Sequence, residues 1–160
     1  MKNTQSIRAL NRLVAIHNRS LARYLASARP WTRPGDEAAM TVLRLMAADQ
    51  LKTVDRLAGL ILELGGRVQM GEFPMDFTSL HDLNVDYLLQ RVVAGHKRDI
   101  AAIEECVDEL RLAPLARALA EESLGAAKGH LDSLQELIAA RKEAKRSSGP
   151  PPQLALVTGH

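Results

Sequence analysis

Four segments of this sequence carry an apolar residue every third or fourth position, the period of a helix. The first runs from about Thr4 to Ala28 along Ile7, Leu10, Val14, His17, Leu21, Tyr24 and Ala28. The second, from about Asp36 to Leu64, follows Ala39, Leu43, Met46, Gln50, Thr53, Leu57, Leu60 and Leu64. A third, from about Asp82 to Arg111, follows Val85, Leu89, Val92, His96, Ile100, Ile103, Val107 and Leu110. The fourth starts at Pro114, continues to about Ala144, and buries Leu115, Leu119, Ser123, Ala127, His130, Leu134 and Leu137. Steps that alternate three and four are what a helix needs to pack against other helices. The expected fold class is therefore all-α, a four-helix bundle. The 46% apolar and 3% aromatic content agrees with it, because Leu and Ala supply most of the apolar side chains.

The boundaries are written in local chemistry. Pro30, Pro34 and Gly35 stop the first helix. Asp36 and Glu37 suit the positive end of the second, and "LGG" at 64 to 66 suits its other end, where glycine tolerates the left-handed conformation. The stretch "GRVQMGEFPMDFTSLHDL" that follows has no helical period and is too long for a hairpin loop. About sixteen extended residues reach roughly 50 Å, against about 45 Å for a helix of ~30 residues. The stretch can thus travel the length of the bundle and start the third helix parallel to the second, giving one long crossover between helices 2 and 3.

Residues 1–144 read as the bundle and 145–160 as a disordered Pro-rich tail, "KRSSGPPPQLALVTGH". A formal charge of +2 does not call for a nucleic-acid partner. No apolar run approaches the ~18 residues of a membrane span, and the start lacks the apolar core of a signal peptide. The lone Cys106 excludes an intrachain disulfide and fits a reducing cytoplasm, the expected location.

Each seam is interrupted near its middle: by His17, by Gln50 and Thr53, by His96, and by His130 with Ala127 one turn before it. Helices of this length packed in register bring these residues to one level. The layout is one position, an i, i+3 pair, one position, and another such pair, which is the layout of ligands in ferritin-like di-iron bundles. The letters agree. "LNRLVAIHNRSLARYLASAR", "DQLKTVDRLAGLILELGG" and "GHLDSL" resemble the first, second and fourth helices of bacterioferritin, and "VDRLAGLILELGG" is similar to the DNA-protecting mini-ferritins. The resemblance covers residues 6 to 140 and implies a ferritin-like bundle, iron storage or metal homeostasis, and a homo-oligomer.

The departures fall on the ligands. Against the family pattern, His17 and His96 stand at the single-Glu positions, Gln50 and Thr53 at one Glu-x-x-His, and Ala127 and His130 at the other. Only His130 is retained. Ferroxidase chemistry of the family's kind needs the bridging carboxylates that are missing. Tyr24 matches a tyrosine near the family's centre, and Leu51 stands where the haem methionine would, so no haem is expected. Of the mini-ferritin site, Asp55 is kept, with Gly59 and Pro30 at the other positions.

Three neutral imidazoles, His17, His96 and His130, suit a single iron, zinc or copper ion. Gln50 or Thr53 would hold a water, Tyr24 would stand nearby, and Asp99, one turn from His96, would orient an imidazole. A metal-free buried polar network of the same residues is the other reading, and a buried histidine is ordinarily a core residue satisfied by a hydrogen bond. His81 reads as a cap or surface residue, Cys106 as a small core residue, and Glu122 as a surface acid within reach of the core. Beside the metal-handling protein stands a second class, a non-catalytic scaffold or compartment cargo. Its basis is "LALVTG", which resembles the tags that bind cargo to a shell protein, here through residues 147–160.

Overall fold

A computed structural model describes residues 2–28, 32–80 and 84–147. Their helices are α1 (Lys2–Asn18), α2 (Leu21–Ala28), α3 (Glu37–Glu63), α4 (Val85–Glu109) and α5 (Pro114–Ser147), with a 3-10 turn at Met75–Ser79 in the crossover. None is long and apolar enough to cross a membrane. His81 and the tail beyond residue 147, and with them the expectations placed on each, lie outside the described residues.

The first seam corresponds to two helices, where one continuous helix was expected. The chain leaves the helix at Arg19 and Ser20 and re-enters it at Leu21. Ser20 is the cause, since a serine side chain competes for backbone groups better than it sustains a helix. Its Oγ accepts the amide of Arg23 at 3.1 Å, and its carbonyl accepts that of Tyr24 at 3.1 Å. The face survives the break, because Leu10, Val14, His17 and Leu21 are all buried.

α3 ends as "LGG" predicts. Gly65 has φ of 84°, the amide of Gly66 reaches the carbonyl of Ile61 at 2.9 Å, and that of Gly65 reaches Leu62 at 3.0 Å. This paired closure satisfies carbonyls that would otherwise be orphaned. The crossover then runs along α1, held by Asn11, whose Nδ2 donates to the Arg67 carbonyl at 2.8 Å and whose Oδ1 accepts the Gln69 amide at 2.7 Å. Asn84 caps α4 by accepting the Tyr87 amide at 2.9 Å. Near its end α5 carries Arg141, which clasps Asp86 at 2.7 Å and Asp36 at 3.0 Å and so ties it to the starts of α4 and α3. α5 runs to Ser147, past the expected end near Ala144. In its first turn the buried residue is Ala116, and Leu115 is 79% exposed, which corrects the expected seam.

The core comes in two clusters. One joins Leu10, Leu13, Leu57, Ile61, Ile103, Leu110 and Leu119. The other joins Leu21, Leu25, Leu43, Met46, Leu88, Leu89 and Leu134. Each fully buried leucine contributes about 1.5–3 kcal/mol over an exposed one. The first cluster takes the later halves of α3 and α4, and the second takes their earlier halves. The two helices therefore run parallel, as the long crossover requires. The gap between the clusters falls after Val14, Met46, Val93 and Ala127.

Candidate metal centre

Polar side chains occupy that gap. His17 and His96 are each 5% exposed, Gln50 is 3% exposed, and His130 is half-buried at the edge. The common level expected for these residues is present. Their partners differ from those expected.

His96 Nε2 lies 2.8 Å from the carbonyl oxygen of Ala127. A carbonyl only accepts, so Nε2 carries the hydrogen and Nδ1 keeps its lone pair. Burial, with a further contribution from His130, lowers the His96 pKa against the opposing effect of the Ala127 bond. The ring is thus held neutral at neutral pH. His130 Nε2 lies 2.9 Å from Asp49 Oδ2 on α3, to which it donates, so Nδ1 is the nitrogen left for any further partner. The two rings have centroids 6.1 Å apart and are tilted by 53°. His17 differs from both: its Nε2 is buried and has no hydrogen-bond partner. Burial first, then the nearby His96 and His130, push its pKa down to about 4. Leaving this imidazole unpaired in an apolar seam costs about 1–3 kcal/mol.

The other named residues are placed otherwise than expected. Gln50 Oε1 accepts a hydrogen bond from Ser20 Oγ at 2.7 Å. Thr53 Oγ1 turns back to the carbonyl of Asp49 in its own helix at 3.1 Å. Its hydroxyl therefore does not serve the histidines, because a threonine in a helix readily satisfies itself on the preceding turn. Tyr24 packs edge-on against Phe73 at 5.3 Å and tilted against Phe77 at 5.5 Å. Asp99 hydrogen-bonds no histidine. It faces a neighbouring cleft, and burial raises its pKa to about 6 despite the opposing charges of Arg98 and Arg19. The role foreseen for Asp99 is filled by the Ala127 carbonyl at His96 and by Asp49 at His130. Glu122 is on the surface, paired with Arg56 at 2.8 Å, and Cys106 is a core residue. Sequence reasoning missed Asp49 and Ser20. Their signals were a carboxylate beside Gln50 and a capping residue three positions after His17.

Two close iron ions need anionic bridges, and the residues that interrupt the seams, His17, Gln50, Thr53, His96 and His130, supply none. This donor set does not fit a dinuclear iron centre. Among the described residues, no group of three or more His, Cys, Asp and Glu side chains is placed to hold a metal ion as it stands. Two imidazoles on one tetrahedral ion would have centroids about 5 Å apart, given bonds of ~2.0–2.1 Å. His96 and His130 are about 1 Å wider than that.

No family model matches the chain, and no curated protein matches it. Among solved structures it is similar to the bacterioferritin of Rhodobacter capsulatus, determined with a metal-free dinuclear site and its haem iron on a crystallographic special position. The TM-score is 0.71 at 16% sequence identity, over 88% of this chain and 87% of that one. That likeness shows the fold.

Proposed function

We propose that this chain, a helical bundle with the bacterioferritin fold, is a metal-handling protein that binds one transition-metal ion, iron, zinc or copper, through His17, His96 and His130. The observation that carries the reading is the buried, unpartnered Nε2 of His17, a lone pair or N–H with nothing to meet. His96 and His130 support it. Ligating histidines characteristically donate their other nitrogen to a carbonyl or a carboxylate, and these two do so to Ala127 and Asp49. Imidazole donors suit a single ion of borderline softness, and binding would draw the His96 and His130 rings about 1 Å closer. The bacterioferritin fold extends the proposal to storage or homeostasis of the metal by a homo-oligomer in the cytoplasm.

Metal analysis of untagged protein tests it. Close to one ion per chain is expected, falling to background in His17→Leu, His96→Ala and His130→Ala. Leucine at 17 fits the apolar seam and keeps the fold. Metal well below stoichiometry, or metal indifferent to all three substitutions, would sink the reading.

A second reading has its own support, since His96 and His130 are already bonded and no ready-made ligand group stands among the described residues. In it the polar layer is structural, and the bundle is a non-catalytic scaffold or the cargo of a compartment whose shell protein binds residues 147–160. Co-expression with a shell protein decides the cargo role. Co-purification that survives truncation at 147 counts against it.

A further inference from the structure

Where the first helix breaks, a cleft of about 450 Å³ opens between α1, α4 and the crossover, a volume suited to a metabolite-sized ligand. Arg12, Arg19, Arg91 and Arg98 line it, against two acids, Asp76 and Asp99. With Arg12 compensated by Glu105 and Glu109, the three remaining arginines outnumber the two acids, and a concave wall concentrates that field.

The arginines are not equally free. Arg12 is engaged by Glu105 at 3.0 Å and Glu109 at 3.4 Å. Arg91 approaches Asp76 only to 3.6 Å, longer than a charge-assisted hydrogen bond. Arg19 and Arg98 have no carboxylate partner among the described residues, and Asp99 feels both charges without bonding to either.

One glycine makes room for an arginine stem. A Cβ on Gly71 would sit 2.6 Å from Arg19 Cδ, so the Arg19 stem lies where only a glycine admits it. Gly95, inside α4, also lines the cleft. The first turn of α2 completes the wall and adds the positive end of a helix.

We propose that this cleft binds a small multivalent oxyanion, carrying carboxylate or phosphate groups, held by Arg19 and Arg98 with Arg91 as a third contact. Guanidinium forks match both kinds of oxyanion in bidentate fashion. The cleft adjoins the histidine layer, since His96 also lines it.

Titration calorimetry on metal-free full-length protein at low ionic strength tests this, with citrate, pyrophosphate and inorganic phosphate as probes and sodium chloride as the ionic control. A dissociation constant of about 1 mM or tighter is expected for at least one probe. It should weaken by about tenfold or more in Arg19→Gln and in Arg98→Gln, and stay unchanged in Arg56→Gln, a surface arginine outside the cleft. Binding of citrate alone assigns a carboxylate ligand, and binding of the phosphates alone assigns a phosphate ligand. The proposal is overturned if none of the three binds beyond the chloride control. It is equally overturned if Arg19→Gln/Arg98→Gln, folded by circular dichroism, binds as tightly as the parent.

Discussion

Ser20 and Gln50 are joined by a hydrogen bond of 2.7 Å from Oγ to Oε1, between two side chains that are 7% and 3% exposed. The same hydroxyl caps α2 by accepting the Arg23 amide. One serine thus breaks the first helix, restarts it, and satisfies the amide that interrupts the apolar face of α3. Ser20→Ala should cost about 1–3 kcal/mol, through the lost cap and the stranded Gln50. In urea titrations, Ser20→Ala/Gln50→Leu should be more stable than the sum of its single variants, because removing both partners leaves nothing unpaired. A Ser20→Ala midpoint equal to that of the parent would show that the break has another cause.

The response of metal-free protein to pH follows from His17 and His96 on one side and Asp99, of opposite sign, on the other. His17 is held at about 4 in the folded chain, against about 6.5 when unfolded. Its neutral burial therefore leaves stability whole above pH 6.5, and stability is lost as the pH falls towards 4, by about 3 kcal/mol in all. Asp99 is raised to about 6, so the folded state takes up its proton first and gains stability as the pH falls through 6. His96, also lowered, adds to the His17 effect. Denaturation midpoints should therefore fall only modestly between pH 7 and 4.5 in the parent, the Asp99 gain offsetting most of the histidine loss. They should fall steeply with acid in Asp99→Asn and rise on acidification in His17→Leu. Identical pH profiles for all three proteins would contradict the assignment.

Asp49 accepts the Nε2 hydrogen of His130 at 2.9 Å and is itself more than half exposed. Asp49→Asn should leave urea stability within about 0.5 kcal/mol, as an exposed pair contributes little. Metal affinity should fall by about 10- to 100-fold, because the carboxylate fixes the tautomer that frees Nδ1. Competition against a chelator of known affinity measures this. An unchanged constant would remove His130 from the ligand set.

The buried faces of α3 and α4 were legible in the sequence, because Leu43, Met46 and Leu57, and Val92, Ile100 and Ile103, repeat at the helical period. The break at Ser20 was not legible from spacing, since His17, Leu21 and Tyr24 hold the same face across it. The level shared by His17, Gln50, His96 and His130 could be read, because equal depth along packed helices follows from sequence position alone. Their partners could not. The bond from His130 to Asp49 depends on how far α5 is rotated against α3, and that rotation is set by packing across 81 positions of chain. Thr53 and Asp99 were misplaced for the same reason: each lies near the right height and faces another direction.

The division of the core into two clusters bears on how anything reaches the imidazoles. Leu131 is the only partly buried side chain packed against both clusters among the described residues. Across the polar level the two ends of the molecule are joined by helix backbone more than by apolar cohesion, so they need not melt as one unit. Transient opening of the end built on Leu21 and Leu25 would uncover His17 and His96 while the end built on Leu10 and Leu57 stays folded. Amide exchange faster over residues 21–28 than over 9–14 is the signature of that motion, and it would make access a matter of breathing at one end of the bundle.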